Sequence, residues 1–188
     1  MPVPRSCAVF LDRDGVLIED VDYVRSMRQV HVVPGAPEAV ARLNKAGLRV
    51  VVVSNQSGVA RGYFSLRTLQ RINAALKRRL REAGARLDGL YYCPHLPPAK
   101  GRKPCGCRKP GTGLVERARR RWGIDLSRSF FVGDSTTDLQ TARNAGCKAV
   151  LVRTGKAGKD GRYRVRPDAA CPDLPKAVDW ILGVLHGS

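Results

Sequence analysis

Short apolar runs alternate with helical patterns along almost the whole chain. Five runs have the length and composition of buried strands: 7–11, 48–54, 89–93, 129–133 and 148–153. Uninterrupted apolar strands separated by helices indicate a parallel sheet that helices cover on both faces. The chain has 188 residues and no long linker or internal repeat, which predicts one α/β domain over residues 1–188, built in three layers.

Helix start and stop signals lie between these runs. Pro37 suits a first helical turn and Gly47 suits a helix end, while Ser65 and Gly84 can begin and end the next helix. The first two predicted strands are therefore each followed by a helix, as a parallel sheet requires.

Polar side chains follow three of the predicted strands directly. They are Asp12 and Asp14 after the first strand, Ser54, Asn55 and Gln56 after the second, and Asp134 and Asp138 after the fourth. Ligands of a parallel sheet bind beyond the carboxyl ends of its strands, so these side chains are expected to converge on one crevice. Acids that meet at one edge repel unless a cation holds them, and hard oxygen ligands suit Mg²⁺.

The spacing of Asp12 and Asp14 suits phosphoryl transfer. A carboxylate beside Mg²⁺ can attack a phosphoryl group and form an acyl phosphate, which splits one difficult displacement into two easier ones. Asp14, two residues on, can protonate the leaving oxygen and later take a proton from the attacking water. For the pair alone, a metal-binding or plain loop interpretation stands ahead of catalysis.

Four motifs together resemble the haloacid dehalogenase (HAD) superfamily of phosphatases. They are DRDGV at 12–16, SNQSG at 54–58, RKP at 108–110 and GDSTTD at 133–138. The resemblance spans nearly the whole chain and implies a Rossmann-like HAD fold.

The same resemblance implies a role for each motif. Asp12 is expected to be the nucleophile, Asp14 the general acid and base, and Ser54 and Lys109 the groups that hold the phosphoryl oxygens. Mg²⁺ is expected to be bound by Asp12, the main-chain carbonyl of Asp14, Asp134 and water. Asp138 is expected to orient Lys109 or a metal-bound water.

A cysteine and histidine cluster follows the third predicted strand. Cys93 and His95 form a C-x-H pair, and nine residues later Cys105 and Cys107 form a C-x-C pair. Three thiolates and one imidazole complete a tetrahedral set for a structural Zn²⁺, and free thiols or an adventitious disulfide are the competing interpretation. Because the RKP motif follows the last ligand directly, zinc would fix the residues that meet the substrate.

The intervals between the motifs leave no room for a cap domain. About 40 positions separate Asp14 from Ser54 and about 55 separate Ser54 from Lys109, and a helix, a strand and the cysteine cluster already occupy them. This arrangement resembles a capless subgroup of the superfamily that acts on heptose bisphosphates and histidinol phosphate. The resemblance favours removal of the 7-phosphate of a heptose bisphosphate, in nucleotide-activated heptose biosynthesis, with histidinol phosphate or another small sugar phosphate as the alternative.

Substrate contacts are also implied by this resemblance. The residues expected to border the sugar are Asp20, Val21, Asp22 and Tyr23, and those expected to line its site are Arg13, Asn55, Gln56 and Ser57. Arg108 is expected to recognise the far end of the substrate, including a second phosphate.

The charge of the chain leaves other partners open. Its 34 basic residues against 16 acidic ones permit a polynucleotide-end phosphatase or a nucleic-acid-binding zinc module. Only 6% of the residues are aromatic, which leaves no stacking platform, and no helix is placed to read a groove, so nucleic acid is disfavoured. Many bases lie on the outer faces of predicted helices, and the glycine-broken basic segment 155–166 is predicted to be a mobile loop.

The location of the protein is constrained by its apolar runs. None approaches the roughly 18 residues that a membrane span needs, and the run at 7–11 is too short for a secretory signal. We therefore expect a cytoplasmic enzyme that does not contact membranes. Nothing in the sequence demands more than a monomer.

Overall fold

The computed structural model describes residues 7–99 and 105–187. Six strands of this described part form one sheet: β1 (Ala8–Leu11), β2 (Arg49–Asn55), β3 (Gly89–Cys93), β4 (Phe130–Gly133), β5 (Lys148–Val152) and β6 (Ala169–Cys171). The strand order is β3-β2-β1-β4-β5-β6, and every neighbouring pair is parallel. The predicted α/β fold with a central parallel sheet is confirmed.

Five α-helices of the described residues connect or cover the strands. They are α1 (Ala36–Lys45), α2 (Leu66–Glu82), α3 (Gly113–Trp122), α4 (Thr136–Ala145) and α5 (Leu174–His186), and short 3-10 turns occupy Met27–Gln29 and Leu126–Arg128. Helix α2 begins where the sequence predicts, because the Ser65 hydroxyl accepts a hydrogen bond from the backbone N–H of Thr68 at 3.1 Å.

Alternate residues of β1 pack into two separate cores, one on each face of the sheet. Val9 and Leu11 belong to a core completed by α1, α2 and α5, whereas Ala8 and Phe10 belong to a core completed by α3 and α4. Since all four side chains are fully buried, β1 is the central strand of a three-layer structure.

The order of the strands places a crevice at the carboxyl end of β1. Leu11 pairs with Val52 of β2 on one side and with Val132 of β4 on the other. The later strands lie on both sides of β1, with β2 and β3 on one side and β4, β5 and β6 on the other. The carboxyl end of β1 is therefore the topological switch point, where an open parallel sheet binds its ligands. The polar residues that follow β1, β2 and β4 meet there.

Two features of the fold differ from the expectations drawn from sequence. Strand β6 was not predicted. The segment 155–166, here called the basic loop, was predicted to be mobile, but hydrogen bonds tie it to the rest of the fold. The N–H of Gly158 donates to the carbonyl of Asp134 at 2.8 Å, and the carboxylate of Asp160 accepts from the N–H of Thr136 at 2.6 Å.

The loop that carries the cysteine cluster runs between β3 and α3. Residues 100–104, which belong to the predicted zinc loop of 93–107, lie outside the described residues. In the described part of the chain, no helix combines the length and apolar character needed to cross a membrane.

Candidate active site

A buried lysine lies between two carboxylates at the carboxyl end of β1. The Nζ atom of Lys109 lies 2.6 Å from Oδ1 of Asp138 and 2.9 Å from Oδ1 of Asp12. Burial lowers the pKa of Lys109, but the two carboxylates outweigh it and raise the pKa above its usual value. Lys109 is therefore a fixed cation beside the carboxylate of Asp12.

Three acids form a cluster that could hold a metal ion. Carboxylate oxygens of Asp12, Asp134 and Asp138 lie within 4.8 Å of one another. Burial and the neighbouring acids raise the pKa of Asp12 to about 8, against the opposing effect of Lys109, and burial and Asp138 raise that of Asp134 to about 6. One ammonium group does not balance three buried carboxylates, so the cluster fits a divalent cation.

The hydrogen bonds of the three acids show which oxygens remain for a cation. Both oxygens of Asp138 are used, by Lys109 and by the N–H and hydroxyl of Ser135. One oxygen of Asp134 accepts from the N–H of Lys156 at 2.6 Å. Among the described residues, no donor bonds Oδ2 of Asp12 or Oδ1 of Asp134. These two oxygens suit Mg²⁺, while Asp138 bonds Lys109.

The second acid of the DRDGV motif is held by a buried arginine. Arg13 is 1% exposed, and its guanidinium donates to both oxygens of Asp14, at 2.9 and 3.1 Å from one nitrogen, and to Asn73 of α2 at 3.0 Å. Gln56 also donates to Asp14, at 2.7 Å. Arg13 was expected to contact the substrate, but its side chain turns away from the crevice and orients Asp14.

Residues at the end of β2 form hydrogen bonds with each other and with the backbone of Lys109. The hydroxyl of Ser54 accepts from the amide of Gln56 at 2.8 Å, and both side chains are buried. The side chain of Asn55 bonds the backbone of Lys109 twice, accepting from its N–H at 3.0 Å and donating to its carbonyl at 3.2 Å. Asn55 thus fixes the chain that carries the buried lysine.

The predicted zinc ligands come together in the structure. The Sγ atoms of Cys93, Cys105 and Cys107 and the Nδ1 atom of His95 are separated by 3.2 to 3.7 Å in five of their six pairs. A tetrahedral site with Zn–S bonds of about 2.3 Å and a Zn–N bond of about 2.0–2.1 Å has edges of roughly 3.5–3.8 Å. The four atoms therefore fit a structural Zn²⁺.

This cluster also positions the first residue of the RKP motif. The guanidinium of Arg108 donates to the carbonyl oxygen of His95 at 3.0 Å. A zinc ion held by Cys107 and His95 would therefore fix Arg108 at both its backbone and its side chain.

A cavity of about 430 Å³ opens above these residues. The predicted site residues that line it are Asp12, Asp14, Asp20, Asp22, Tyr23, Asn55, Ser57, Arg108, Lys109 and Asp138. Val21 is 42% exposed and lines a neighbouring depression. Four other predicted residues are buried and do not line the cavity: Arg13, Ser54, Gln56 and Asp134.

The loop after β1 forms one side of the cavity. Asp22, with a left-handed φ of 60°, and the following Tyr23 line the cavity. The Tyr23 ring packs edge-on against the ring of Tyr63, with 4.8 Å between centroids. Asp20 forms a salt bridge with Lys156 of the basic loop at 3.4 Å. The loop is therefore tied both to the α2 side of the fold and to the basic loop.

Several residues of the opposite side were missed by the sequence prediction. They are Ser135, Thr137, Lys156, Asp160 and Arg162, and the last three belong to the basic loop. This loop comes shortly after β5, so the rule that found the acids after β1 and β4 also applies to it.

Comparisons with known proteins agree with this site. The family model described as HAD-hydrolase-like matches residues 106–177, and the model described as haloacid dehalogenase-like hydrolase matches residues 9–80. The D-glycero-D-manno-heptose-1,7-bisphosphate 7-phosphatase of Thermosynechococcus vestitus is 42% identical over 192 residues, covering 96% of each chain. The D-glycero-beta-D-manno-heptose-1,7-bisphosphate 7-phosphatase of Escherichia coli is 38% identical, and the match covers 95% of this chain and 89% of the relative. This chain therefore belongs to the haloacid dehalogenase-like hydrolases.

Solved structures narrow the class further. The D,D-heptose 1,7-bisphosphate phosphatase of Bordetella bronchiseptica, complexed with magnesium and phosphate, has a TM-score of 0.86 and 38% identity, and covers 95% of this chain and 99% of its own. The enzyme of the same name from Burkholderia thailandensis has a TM-score of 0.71 and 31% identity, covering 94% and 98%. The protein is thus a phosphatase that closely matches heptose bisphosphate 7-phosphatases, and the predicted family and enzyme class are confirmed.

Proposed function

We propose that this phosphatase removes the 7-phosphate of D-glycero-D-manno-heptose 1,7-bisphosphate and leaves the 1-phosphate in place. The proposed phosphoryl transfer is supported most directly by the position of Lys109, which lies between Asp12 and Asp138 at the base of the cavity. The choice of substrate is supported by the names of the relatives and by an arginine, Arg108, at the cavity wall.

In the first step, the carboxylate of Asp12 attacks phosphorus. A bond forms between a carboxylate oxygen and phosphorus, while the bond from phosphorus to the sugar oxygen breaks. Asp14 gives its proton to that oxygen, which leaves as the sugar hydroxyl. Arg13 and Gln56 hold the carboxyl group of Asp14 in the orientation that this transfer needs.

In the second step, water attacks the phosphorus of the aspartyl phosphate. Asp14, now a carboxylate, takes a proton from the water as the new phosphorus–oxygen bond forms. The bond between phosphorus and Asp12 breaks, and inorganic phosphate leaves. The carboxylate of Asp12 and the proton on Asp14 are both restored.

The negative charge of the transferred phosphoryl group would be stabilised by a metal ion, a lysine and a hydroxyl group. Bound by Asp12, Asp134 and the main-chain carbonyl of Asp14, Mg²⁺ would supply positive charge for the oxygens of the transferred group. Lys109 supplies a second positive charge, and its two salt bridges mean that no reorganisation is needed when the transition state forms. We also assign the hydroxyl of Ser54 to donate a hydrogen bond to an oxygen of the transferred group.

The zinc cluster and the loop after β1 would determine where the sugar lies. Zinc held by Cys93, His95, Cys105 and Cys107 would fix the following Arg108, which we assign to the far end of the substrate. Asp20, Asp22 and Tyr23 line the side of the cavity where sugar hydroxyls would lie, and carboxylates and phenols accept hydrogen bonds from hydroxyls.

A comparison of substrates tests this function. We would measure kcat/KM for phosphate release with Mg²⁺ from heptose 1,7-bisphosphate, histidinol phosphate and a 3′-phosphorylated oligonucleotide, with Asp12→Asn as the blank. The account predicts a clear preference for the bisphosphate and retention of the 1-phosphate in the product, seen by phosphorus NMR. If p-nitrophenyl phosphate is hydrolysed in an Asp12-dependent way but all three are poor, the assigned substrate is wrong.

A further inference from the structure

The basic loop brings a second guanidinium group to the cavity. Arg162, an exposed residue of this loop, lines the cavity together with Arg108, which comes from the zinc loop. Four cations line the cavity in the described part of the chain: Arg108, Lys109, Lys156 and Arg162.

Two of these four cations already have carboxylate partners. Lys109 is paired with Asp12 and Asp138, and Lys156 lies 3.4 Å from Asp20. Within the described residues, neither arginine forms a salt bridge, and the guanidinium of Arg108 donates only to the uncharged carbonyl of His95. The two guanidinium groups are thus the unneutralised cations of the cavity.

The two arginines come from different loops but line the same cavity. Guanidinium groups bind phosphate oxygens with two parallel hydrogen bonds, so an anion between the two arginines would balance charges that no salt bridge neutralises.

The backbone of Arg162 is held in place on both sides. Two residues earlier, the carboxylate of Asp160 accepts from the N–H of Thr136 at 2.6 Å and from its hydroxyl at 2.9 Å. One residue later, the N–H of Tyr163 donates to the same hydroxyl at 3.2 Å. Thr136 begins α4, two residues after Asp134. The position of Arg162 is therefore fixed relative to the acid cluster.

We propose that Arg162 is a specificity-determining residue, which together with Arg108 binds the phosphate group that is not cleaved. This inference rests on the proposed bisphosphate substrate. A phosphate monoester carries a charge of about −1.5 to −2 near pH 7, which two guanidinium groups can balance. The reacting phosphate is served separately by Lys109, so each end of the substrate has its own cations.

The test compares two substrates in two variants. Heptose 1,7-bisphosphate and heptose 7-phosphate differ only in the second phosphate, so the ratio of their kcat/KM values isolates its recognition. In Arg162→Ala this ratio should fall by about tenfold, mainly through KM for the bisphosphate, as expected for loss of one charge-assisted contact. Arg164→Ala removes the same charge from an exposed position of the same loop that does not line the cavity, and it should keep the wild-type ratio.

The possible outcomes separate this inference from the proposed function. If the wild type prefers the bisphosphate and Arg162→Ala keeps that preference, the inference is wrong and the proposed function stands. Equal losses in Arg162→Ala and Arg164→Ala would also overturn it, because they would indicate only a general effect of charge. If the wild type shows no preference for the bisphosphate, the proposed substrate itself fails.

Binding of the product gives a measurement that does not depend on turnover. Heptose 1-phosphate retains the second phosphate, so Arg162→Ala should raise its competitive inhibition constant by a similar factor, and Arg164→Ala should not. An inhibition constant that stays the same in Arg162→Ala would contradict the inference.

Discussion

The Nζ atom of Lys109 lies 2.9 Å from the carboxylate oxygen Oδ1 of Asp12, and the lysine is only 4% exposed. An ammonium group shielded from water in this way acts on the developing charge of phosphoryl transfer without first reorganising solvent. It also opposes the burial that raises the pKa of Asp12, and so favours the carboxylate form of the nucleophile.

Replacing this lysine should affect catalysis far more than replacing another lysine of the chain. In Lys109→Met, kcat should fall by about 10²–10³-fold, because preorganised charge at the reacting group is lost. The measurement is hydrolysis of p-nitrophenyl phosphate, with circular dichroism to confirm the fold. Lys159→Met, at an exposed position of the basic loop, is the control and should keep wild-type kcat. Near-normal turnover in folded Lys109→Met would contradict the assigned role.

Gly155 should be required for the metal site. A Cβ atom at this position would clash with Oδ2 of Asp134 and lie 2.8 Å from Cα of Gly15, so the carboxylate would have to move. We expect Gly155→Ala to weaken Mg²⁺ binding by about tenfold or more, as changes next to metal ligands do. Titration calorimetry measures this directly. Gly183→Ala, on α5 with open space around it in the described structure, should bind Mg²⁺ as the wild type does.

The zinc cluster should contribute to both stability and activity. Cys107→Ser removes one ligand, so the zinc content of the purified protein should fall from about one ion per chain, with loss of kcat/KM as Arg108 and Lys109 lose their support. A loss of about 2–3 kcal/mol would lower Tm by roughly 5–10 °C in a domain of this size. Cys171→Ser, which changes a buried cysteine outside the cluster, should keep its zinc. Full zinc content in Cys107→Ser would show that this thiol is not a ligand.

Asp168 should make stability depend on pH. Although burial acts to raise its pKa, hydrogen bonds from the N–H of Ala149 at 2.6 Å and from Arg143 at 2.9 Å lower it overall. A lowered pKa in the folded state contributes stability above the unfolded value of about 3.9, and this is lost as the pH falls through the lower folded value. Because solvent screens this exposed carboxylate, Asp168→Asn should lower the free energy of unfolding at neutral pH by less than about 1 kcal/mol.

Urea unfolding at several pH values tests this prediction. The difference between wild type and Asp168→Asn should shrink as the pH falls below about 4. The exposed Glu19→Gln replacement is the control and should change stability little at neutral pH. A difference for Asp168→Asn that does not vary with pH would show that the charge of this aspartate is not what stabilises the fold.

Much of the fold could be predicted because β1 to β5 lie in short, mostly apolar runs, and polar residues follow β1, β2 and β4 directly. The bounds of β1 to β5 differ from the predicted runs by no more than one residue. Strand β6 has only three residues, Ala169–Cys171, and no β-branched side chain, so its sequence carries no strand pattern. It forms because β5 offers an edge on which to pair.

The site residues show a similar division. Asp12 and Asp134 could be found because they follow strands, but which way Arg13 points could not be read from the motif. Since Asp12 and Asp14 both line the cavity, the residue between them points to the other side and must find partners in the interior. Asn73, one of those partners, lies on α2 and comes next to it only through folding. Arg162 likewise reaches the cavity because Thr136 holds the loop that carries it.

The covalent step can be isolated with an Asp14→Asn variant. Release of p-nitrophenolate needs no proton, so Asp12 can still be phosphorylated by p-nitrophenyl phosphate. Hydrolysis of the aspartyl phosphate needs a base for the attacking water, and the variant lacks it. The phosphorylated protein should therefore accumulate, whereas sugar phosphates, which need the acid, should react slowly from the first step.

Trapping of this species is the most direct test of the account. Asp14→Asn would be mixed with p-nitrophenyl phosphate and Mg²⁺, quenched, reduced with borohydride and analysed by mass spectrometry. The account predicts homoserine at position 12, the reduction product of an aspartyl phosphate, and no such product when Asp12 is also replaced by Asn. Release of p-nitrophenolate without modification at position 12, or with modification at another residue, would contradict the central claim that Asp12 is the nucleophile.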